Sequence, residues 1–479
     1  NSLNIVNHIE EYGIEGSLQL GKNLQCLFEA NELNAIKTIF SAIGDVYKQK
    51  IWGLVEVQDV SNALFQLEKQ HNEVIRQKVN EISDEGFSLF YKNAYTFKLS
   101  ANILRGENEL TGNLIEISYG GNKILVEFGK DLTNKTAQLT ELEKRVRNYP
   151  YSAVVISHMH EDHAGLIDLI KTKPIYMGKT TEKLLKQKMV LNENIKTFED
   201  GKSFSVGLGY TGITITPFLC DHSAPDSYML LFECHGEKIL YTGDFRSHGR
   251  KNFDALLSRL PKKVDTLIIE GTNANQKEGE YKIISEISIQ NRLSKLLSKT
   301  DKPVFVLVPT TNIDRIVSIY KATYRLNRIM LIDKEQARKL EAFGGNVPRP
   351  STFKSVKVYY PLPIRKKDFD NFIDLKEQSL SIADIAARND YVMLVRTSGL
   401  SYLKKLASKR PNGLKDATLV YSMWSGYTEE ESMKLFLENI LELGVKVVTM
   451  HTSGHANNEA ISRLVACVNP TDKINVHTS

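Results

Sequence analysis

Hydrophobic and polar positions divide the chain into stretches of different texture. From Lys22 to about Ser83, apolar residues recur at helical spacing: Leu24, Leu27 and Phe28, then Ile36, Ile39 and Phe40, with Gly and Asp at the interruptions. A small helical domain is predicted over residues 1–92. After about Ala94 the apolar runs become short and β-rich: Leu114–Ser118, Lys123–Phe128 and Ser152–Ser157, then Ile213–Thr216, Tyr228–Glu233, Lys238–Tyr241 and Thr266–Glu270. Many strands ahead of few helices predict a sheet-rich α/β sandwich. From about Tyr281 strand and helix alternate: Val304–Val308 before Asn312–Tyr324, Ile329–Ile332 before Lys334–Phe343, and Tyr391–Arg396 before Leu400–Ser408. That rhythm predicts a parallel α/β insert over residues 281–415. The strands Thr418–Tyr421, Lys446–Met450 and Lys473–Val476 are expected to rejoin the sandwich over residues 416–479, and the last two run into histidines.

A length of 479 residues exceeds one ordinary core, in keeping with two or three domains. With 42% hydrophobic and 25% charged residues, the composition is that of a globular protein and gives no sign of extended disorder. No apolar run is long enough to span a bilayer, and the opening NSLNIVNHIEEYG lacks the basic-then-apolar order of a secretory signal. A cytoplasmic location and no membrane partner are the expectations. The abrupt ends, Asn1 and Ser479, suggest a processed or trimmed chain, and whether the native chain continues past Ser479 is left open. Cys26, Cys220, Cys234 and Cys467 are scattered without CxxC spacing, which argues against a disulfide framework and against a thiolate zinc site. Charge is uneven. Residues 1–92 hold 8 Lys and Arg against 13 Asp and Glu, a balance of −5, which leaves +10 on the rest of a chain whose total is +5. A basic body suits a polyanionic partner.

The strongest chemical signal is Val154-Val155-Ile156-Ser157-His158-Met159-His160-Glu161-Asp162-His163-Ala164-Gly165. An apolar strand runs into four metal-ligand types within six positions. Zinc takes imidazole nitrogen and carboxylate oxygen in small shells, and a catalytic site leaves one position for water. His158 and His160, two apart on extended chain, can point to one side and clasp a metal; Asp162 and His163, at the turn into a helix, can hold a second about 3.5–4 Å away. A chance polar run would account for one histidine. It does not account for four ligand-type residues, His158, His160, Asp162 and His163, followed by further His- and Asp-bearing strand ends.

His-x-His-x-Asp-His in this setting resembles the signature of the metallo-β-lactamase superfamily, and the likeness extends from about residue 95 to the end. Phe218-Leu219-Cys220-Asp221-His222 and Tyr241-Thr242-Gly243-Asp244-Phe245-Arg246 match its later strand ends. Glu127 stands where the family has an early aspartate that orients a ligand. Leu267-Ile268-Ile269-Glu270, His451-Thr452-Ser453-Gly454-His455-Ala456 and Ile474-Asn475-Val476-His477 resemble the three extra motifs of the β-CASP subgroup, the second in its ribonuclease J form.

The resemblance implies an αββα sandwich over 93–280 and 416–479, with the β-CASP insert between. It implies two zinc ions, with manganese as an in vitro substitute. His158, His160 and His222 would hold one; Asp162, His163 and His477 the other; Asp244 would bridge them. Asp162 also counts among the catalytic groups, with His455 as general acid oriented by Glu270. A hydroxide shared by the zincs would attack a phosphodiester of RNA, internally, from a 5′ end, or both. A DNA nuclease of the crosslink-repair kind and a silent nucleic-acid-binding protein are the alternatives.

Ser453-Gly454, read as opening a helix near Ala456, is a candidate phosphate contact. Asn312 and Arg315, in Thr310-Thr311-Asn312-Ile313-Asp314-Arg315, follow a strand at the carboxyl edge where parallel sheets bind ligands. Arg396-Thr397-Ser398-Gly399 and Trp424-Ser425-Gly426-Tyr427 occupy similar places, and Trp424 and Tyr427 could stack on bases. Arg365-Lys366-Lys367 and Lys404-Lys405 read as solvated faces. For residues 1–92, homodimerisation or partner binding is the plain expectation.

Overall fold

The computed structural model describes residues 98–107, 109, 111–133, 138–207, 211–273, 283–343, 345–360 and 378–478. The helical domain expected over 1–92 and the run Arg365-Lys366-Lys367 lie outside the described residues.

The first sheet takes strands β1 (Ser100–Arg105), β2 (Leu114–Tyr119), β3 (Asn122–Val126), β4 (Ala153–Val155), β5 (Ile175–Gly178) and β6 (Ile195–Phe198), side by side in chain order. The chain then builds β7 (Phe204–Val206), β8 (Ile213–Cys220), β9 (Ser227–Cys234), β10 (Glu237–Tyr241) and β11 (Thr266–Glu270) of the second. A third sheet follows: β12 (Val304–Leu307), β13 (Ile329–Asp333), β14 (Val356–Tyr359), β15 (Tyr391–Val395), β16 (Thr418–Tyr421) and β17 (Lys446–Thr449). Finally β18 (Asp472–Val476) returns to the second sheet, whose order is β18-β11-β10-β9-β8-β7.

Alternation along the strands makes the layers. In β3, Ile124 and Val126 point into a core shared with Leu230, Phe232, Ile239 and Tyr241 of the second sheet, while Leu125 points outward. That outer face is covered by helices Glu141–Asn148 and Lys179–Lys186 through Val146, Leu184 and Leu185. The outer face of the second sheet is covered by helices Phe253–Arg259 and Asn458–Val468 through Phe253, Leu256, Ala460 and Leu464. The result is the expected αββα sandwich.

The third sheet runs β14-β13-β15-β12-β16-β17, every pairing parallel. Its strands are continuous apolar runs such as Val304-Phe305-Val306-Leu307, because helices cover both faces. One expectation is corrected here. The strands at 418–421 and 446–449 do not rejoin the sandwich at 416. β16 pairs with β12, whose backbone groups need a partner on each side, and β17 pairs with β16. The insert therefore runs to Thr449, and the sandwich resumes around His451. Cys220, Cys234 and Cys467 are free thiols. Among the described residues no helix is long and apolar enough to cross a membrane.

Candidate metal centre

Strand ends converge on one spot. β3 pairs in parallel with β4, and β10, β11 and β18 pair in parallel with one another, so the residues just past their carboxyl ends share one edge of the sandwich. Glu127, His158, Asp244 and His477 occupy those positions, Glu270 is the last residue of β11, and His222 follows the end of β8. Glu127 and His477 have φ of 64° and 55°. For a non-glycine residue this region costs on the order of 1–3 kcal/mol and persists only where surroundings enforce it. Here the Glu127 amide donates to Val155 O at 3.0 Å and the His477 amide to Gly106 O at 2.7 Å. Gly243 turns the chain before Asp244 at φ 51°, and a Cβ there would press on Ser157 and the Tyr228 carbonyl at 3.0 Å.

Three imidazole nitrogens face each other. His160 Nδ1 lies 3.1 Å from both His158 Nε2 and His222 Nε2, and Asp244 Oδ2 lies 3.8 and 3.6 Å from those two Nε2 atoms. Beside them, His477 Nε2 is 2.9 Å from Asp162 Oδ2, and His163 Nε2 is 3.4 Å from Asp244 Oδ1. Each group, His158-His160-His222-Asp244 and Asp162-His163-Asp244-His477, brings its ligand atoms within 4.8 Å of one another, with Asp244 common to both.

The far ring nitrogens are held by other groups. His222 Nδ1 donates to Gly454 O at 2.7 Å, His158 Nδ1 is 3.0 Å from Ser157 Oγ, and His477 Nδ1 is 2.8 Å from Thr272 Oγ1. His163 Nδ1 is 3.3 Å from Glu127 Oε1, and the same carboxylate accepts from the Ser157 amide. Such partners fix ring orientation and leave the inner nitrogens for a cation.

Burial is the main reason His158 and His222 sit well below the ordinary imidazole range and His160 falls to about 4. Neutral imidazole is the form that binds metal. His163 goes the other way, because Asp244 and Asp162 outweigh burial. Burial works against the Asp244 carboxylate, yet His477, His163 and His455 hold its pKa well below the usual value. Nitrogen-rich donors in two adjoining sets sharing a carboxylate fit a pair of divalent cations.

His455 stands beside the two sets. Its Nδ1 is 3.0 Å from Glu270 Oε2, 3.2 Å from Thr272 Oγ1 and 3.7 Å from Asp244 Oδ2. Burial opposes its proton, but Glu270 and Asp244 raise it to about 9. Glu270 is itself fixed by the Phe245 amide at 2.8 Å.

The residues expected to contact substrate are placed differently. Helix Asn458–Val468 is capped by Asn457, so Ser453 and Gly454 are not at its start. Ser453 Oγ instead accepts from Asn273 Nδ2 and the His455 amide, both at 3.1 Å, and Gly454 orients His222. Asn312 is the N-cap of helix Ile313–Arg325. Arg315 is fully buried, its guanidinium paired with Glu286 and bonded to Ser422 Oγ, so neither faces a groove. Arg396 pairs with Asp333. Trp424 is 61% exposed and Tyr427 40%. Thr272, Asn273 and Arg246 escaped the sequence reading, although two of them follow Glu270 closely and the third ends a quoted motif.

Glu127→Gln keeps the size of the side chain but removes the charge facing His163. It is expected to weaken metal binding by about 10- to 100-fold, read by chelator competition. Unchanged affinity would mean that Glu127 serves the fold alone.

Residues 122–307 match the domain described as "Beta-lactamase superfamily domain". Ribonuclease J 2 of Streptococcus pyogenes serotype M3 is 23% identical over 388 residues, 74% of this chain and 66% of that protein. Ribonuclease J of Mycobacterium tuberculosis is 24% identical over 424 residues, 79% of this chain and 68% of that protein. The 5′ exonuclease Apollo of Gallus gallus is 34% identical over 119 residues, 25% of each chain. The chain thus spans about two thirds of the length of these ribonuclease J relatives and a quarter of Apollo. A crystal structure of an Enterococcus faecalis V583 protein of unknown function shares the fold, with a TM-score of 0.63 at 19% identity over 79% of this chain and 93% of that one. Residues 122–307 thus carry a β-lactamase superfamily domain, and the chain, with its ligand-bearing strand ends and all-parallel insert, is similar over about three quarters of its length to ribonuclease J and over one quarter to Apollo.

Proposed function

We propose that the protein is a two-zinc phosphodiester hydrolase acting on RNA, internally, from a 5′ end, or both. The observation that carries this reading is the Asp244 carboxylate shared by two ligand sets with the His455–Glu270 pair beside it. His158, His160 and His222 would hold one ion, Asp162, His163 and His477 the other, and Asp244 both. Bound there, divalent ions supply Lewis acidity and lower the pKa of a water. The chain's own part is positional and acid–base. Glu270 takes His455 Nδ1, leaving Nε2 as the ring nitrogen that can pass a proton to the departing oxygen. Thr272 sits between His455 and His477 and keeps the acid close to the ligand set.

The extent of the likenesses favours nucleic acid, and RNA over DNA. The ribonuclease J likeness covers about three quarters of the chain, the Apollo likeness one quarter. The test is incubation with 5′-phosphorylated, 5′-hydroxyl and circular RNA alongside matched DNA. Cleavage of DNA in preference to RNA would move the assignment to a DNA nuclease, and inertness toward both, with metals bound, to a binding protein.

His455→Ala is expected to keep both metals and lose about 10²- to 10⁴-fold in rate, the range for a general acid. Loss of metal in that variant would make His455 a ligand instead.

A further inference from the structure

Trp424 is a large, mostly exposed indole on a deliberately shaped support. Its backbone is pinned where β16 ends: Tyr421 Oη donates to the Trp424 carbonyl at 2.9 Å, and the Tyr427 amide donates to the same oxygen at 3.2 Å. The ring lies over Gly426, where a Cβ would collide with its six-membered ring. Tyr427 meets it edge-on, centroids 5.5 Å apart at 86°. Edge-to-face packing is a favourable aromatic geometry and leaves indole surface uncovered.

The pair stands next to the reaction centre. Ser422 Oγ, two residues before Trp424, donates to Met450 O at 2.6 Å, just ahead of the segment that carries Ser453, Gly454 and His455. The charge of Asp162 reaches the Tyr427 hydroxyl, where it adds to the effects of burial and Glu430. The ends of β12, β15 and β16 are in register at Leu307, Val395 and Tyr421, so Trp424 stands at the carboxyl edge of the third sheet. An exposed aromatic face beside a phosphodiester-cleaving centre suits single-strand binding, since every base offers a π-face.

We propose that Trp424, braced by Gly426 and Tyr427, stacks on an unpaired nucleobase of the substrate strand beside the scissile phosphate, and so makes the enzyme favour base-bearing single strands. This rests on the nuclease reading. The platform supplies registration rather than sequence preference, because stacking is available to any base.

The chain has two tryptophans, Trp52 and Trp424, so Trp52→Phe leaves Trp424 as the sole indole reporter. In the full-length Trp52→Phe, His455→Ala chain, which turns over slowly, a single-stranded oligoadenylate is expected to quench the fluorescence, and an abasic oligomer of equal length and charge is not. In the otherwise wild-type enzyme, Trp424→Ala is expected to lower the ratio of kcat/KM for base-bearing over abasic RNA by roughly 5- to 150-fold. Gly426→Ala, at a position without left-handed strain, should shift the indole and act in the same direction. Trp424→Phe should recover part of the ratio. Cleavage of RNA by wild type with equal quenching by both oligomers, or an unchanged ratio in Trp424→Ala, overturns the platform. Absence of quenching by any oligonucleotide also overturns it and leaves the pair to a protein partner. Base-specific quenching in a protein that cleaves no nucleic acid would instead overturn the nuclease reading and keep the platform.

Discussion

Asp244→Ala is expected to abolish hydrolysis and bring bound metal below one ion per chain, against close to two in the wild type. The reason is geometric. Asp244 Oδ1 faces His163, and Oδ2 faces His158, His222, His477 and His455 at 3.6–3.8 Å, so one carboxylate serves both ligand sets. His160→Ala and His477→Ala each remove a donor from one set only and should each lose about one ion, the other being retained. Two-metal sites contribute several kcal/mol of charge stabilisation in the transition state, on the order of 10³- to 10⁴-fold in rate or more. Elemental analysis of reconstituted protein and single-turnover cleavage read the two effects separately. Retention of both ions by Asp244→Ala, or a rate within tenfold of wild type, would sink the bridging role. The fold should survive, because Asp244 fills no part of the apolar clusters between the sheets.

How much of this could be read along the chain depends on whether a residue's role is local. His158, His160, Asp162 and His163 lie within six positions, and alternation puts them at one strand end whatever the rest of the fold does. His222, Asp244, Glu270 and His477 were legible because each ends an apolar strand, and parallel pairing gathers such ends. Asn312 and Arg315 failed for the converse reason. Their position past β12 suggested a groove, but the partner that decides the matter is Glu286, which meets the Arg315 guanidinium across 29 positions and holds it inside. No periodicity announces such a pairing.

The end of the insert was hidden in a similar way. The unit at 418–449 has the same strand-then-helix rhythm as those before it, and only the pairing of β16 with β12 shows which sheet it joins. Strands β6 and β7 went unread because they are short and half exposed, without clean alternation. The helix at Glu141–Asn148, by contrast, had a readable start: Thr140 and Glu143 form a capping box, a spacing visible in the sequence.

Arg246→Met is expected to cost about 3–5 kcal/mol of stability at neutral pH, the scale for removing one partner from a buried charge network. Arg246 is fully buried and is met on all sides. Its Nε donates to Asp221 at 2.6 Å, Nη2 to Asp314 at 3.0 Å, and Nη1 to Glu286 at 3.3 Å and to the Ser453 carbonyl at 3.2 Å. Those partners belong to the sandwich, the insert and the His455 segment, so one guanidinium ties three parts of the chain together beside His222. Methionine approximates the volume but leaves Asp221 and Asp314 facing each other, and Asp314 is already raised by burial and by Asp221. The acid dependence follows from the directions of the shifts. Burial works against the Asp221 and Glu286 carboxylates, yet Arg246 lowers the first, and Arg315 with Arg246 the second. Stability from depressed carboxylates is present above their unfolded values of about 4 and is lost as pH falls through the folded ones. Asp314 has the opposite sign and offsets part of it. The gap between wild type and variant should therefore be widest near pH 7 and narrow below about pH 4, where protonation removes the repulsion the missing guanidinium had balanced. Urea titrations at the two pH values measure it, and Arg246→Met with Asp314→Asn should recover part of the loss at pH 7. A deficit under 1 kcal/mol at neutral pH, or one that grows on acidification, would mean that the three carboxylates find other partners and that Arg246 does not hold the insert to the metal domain.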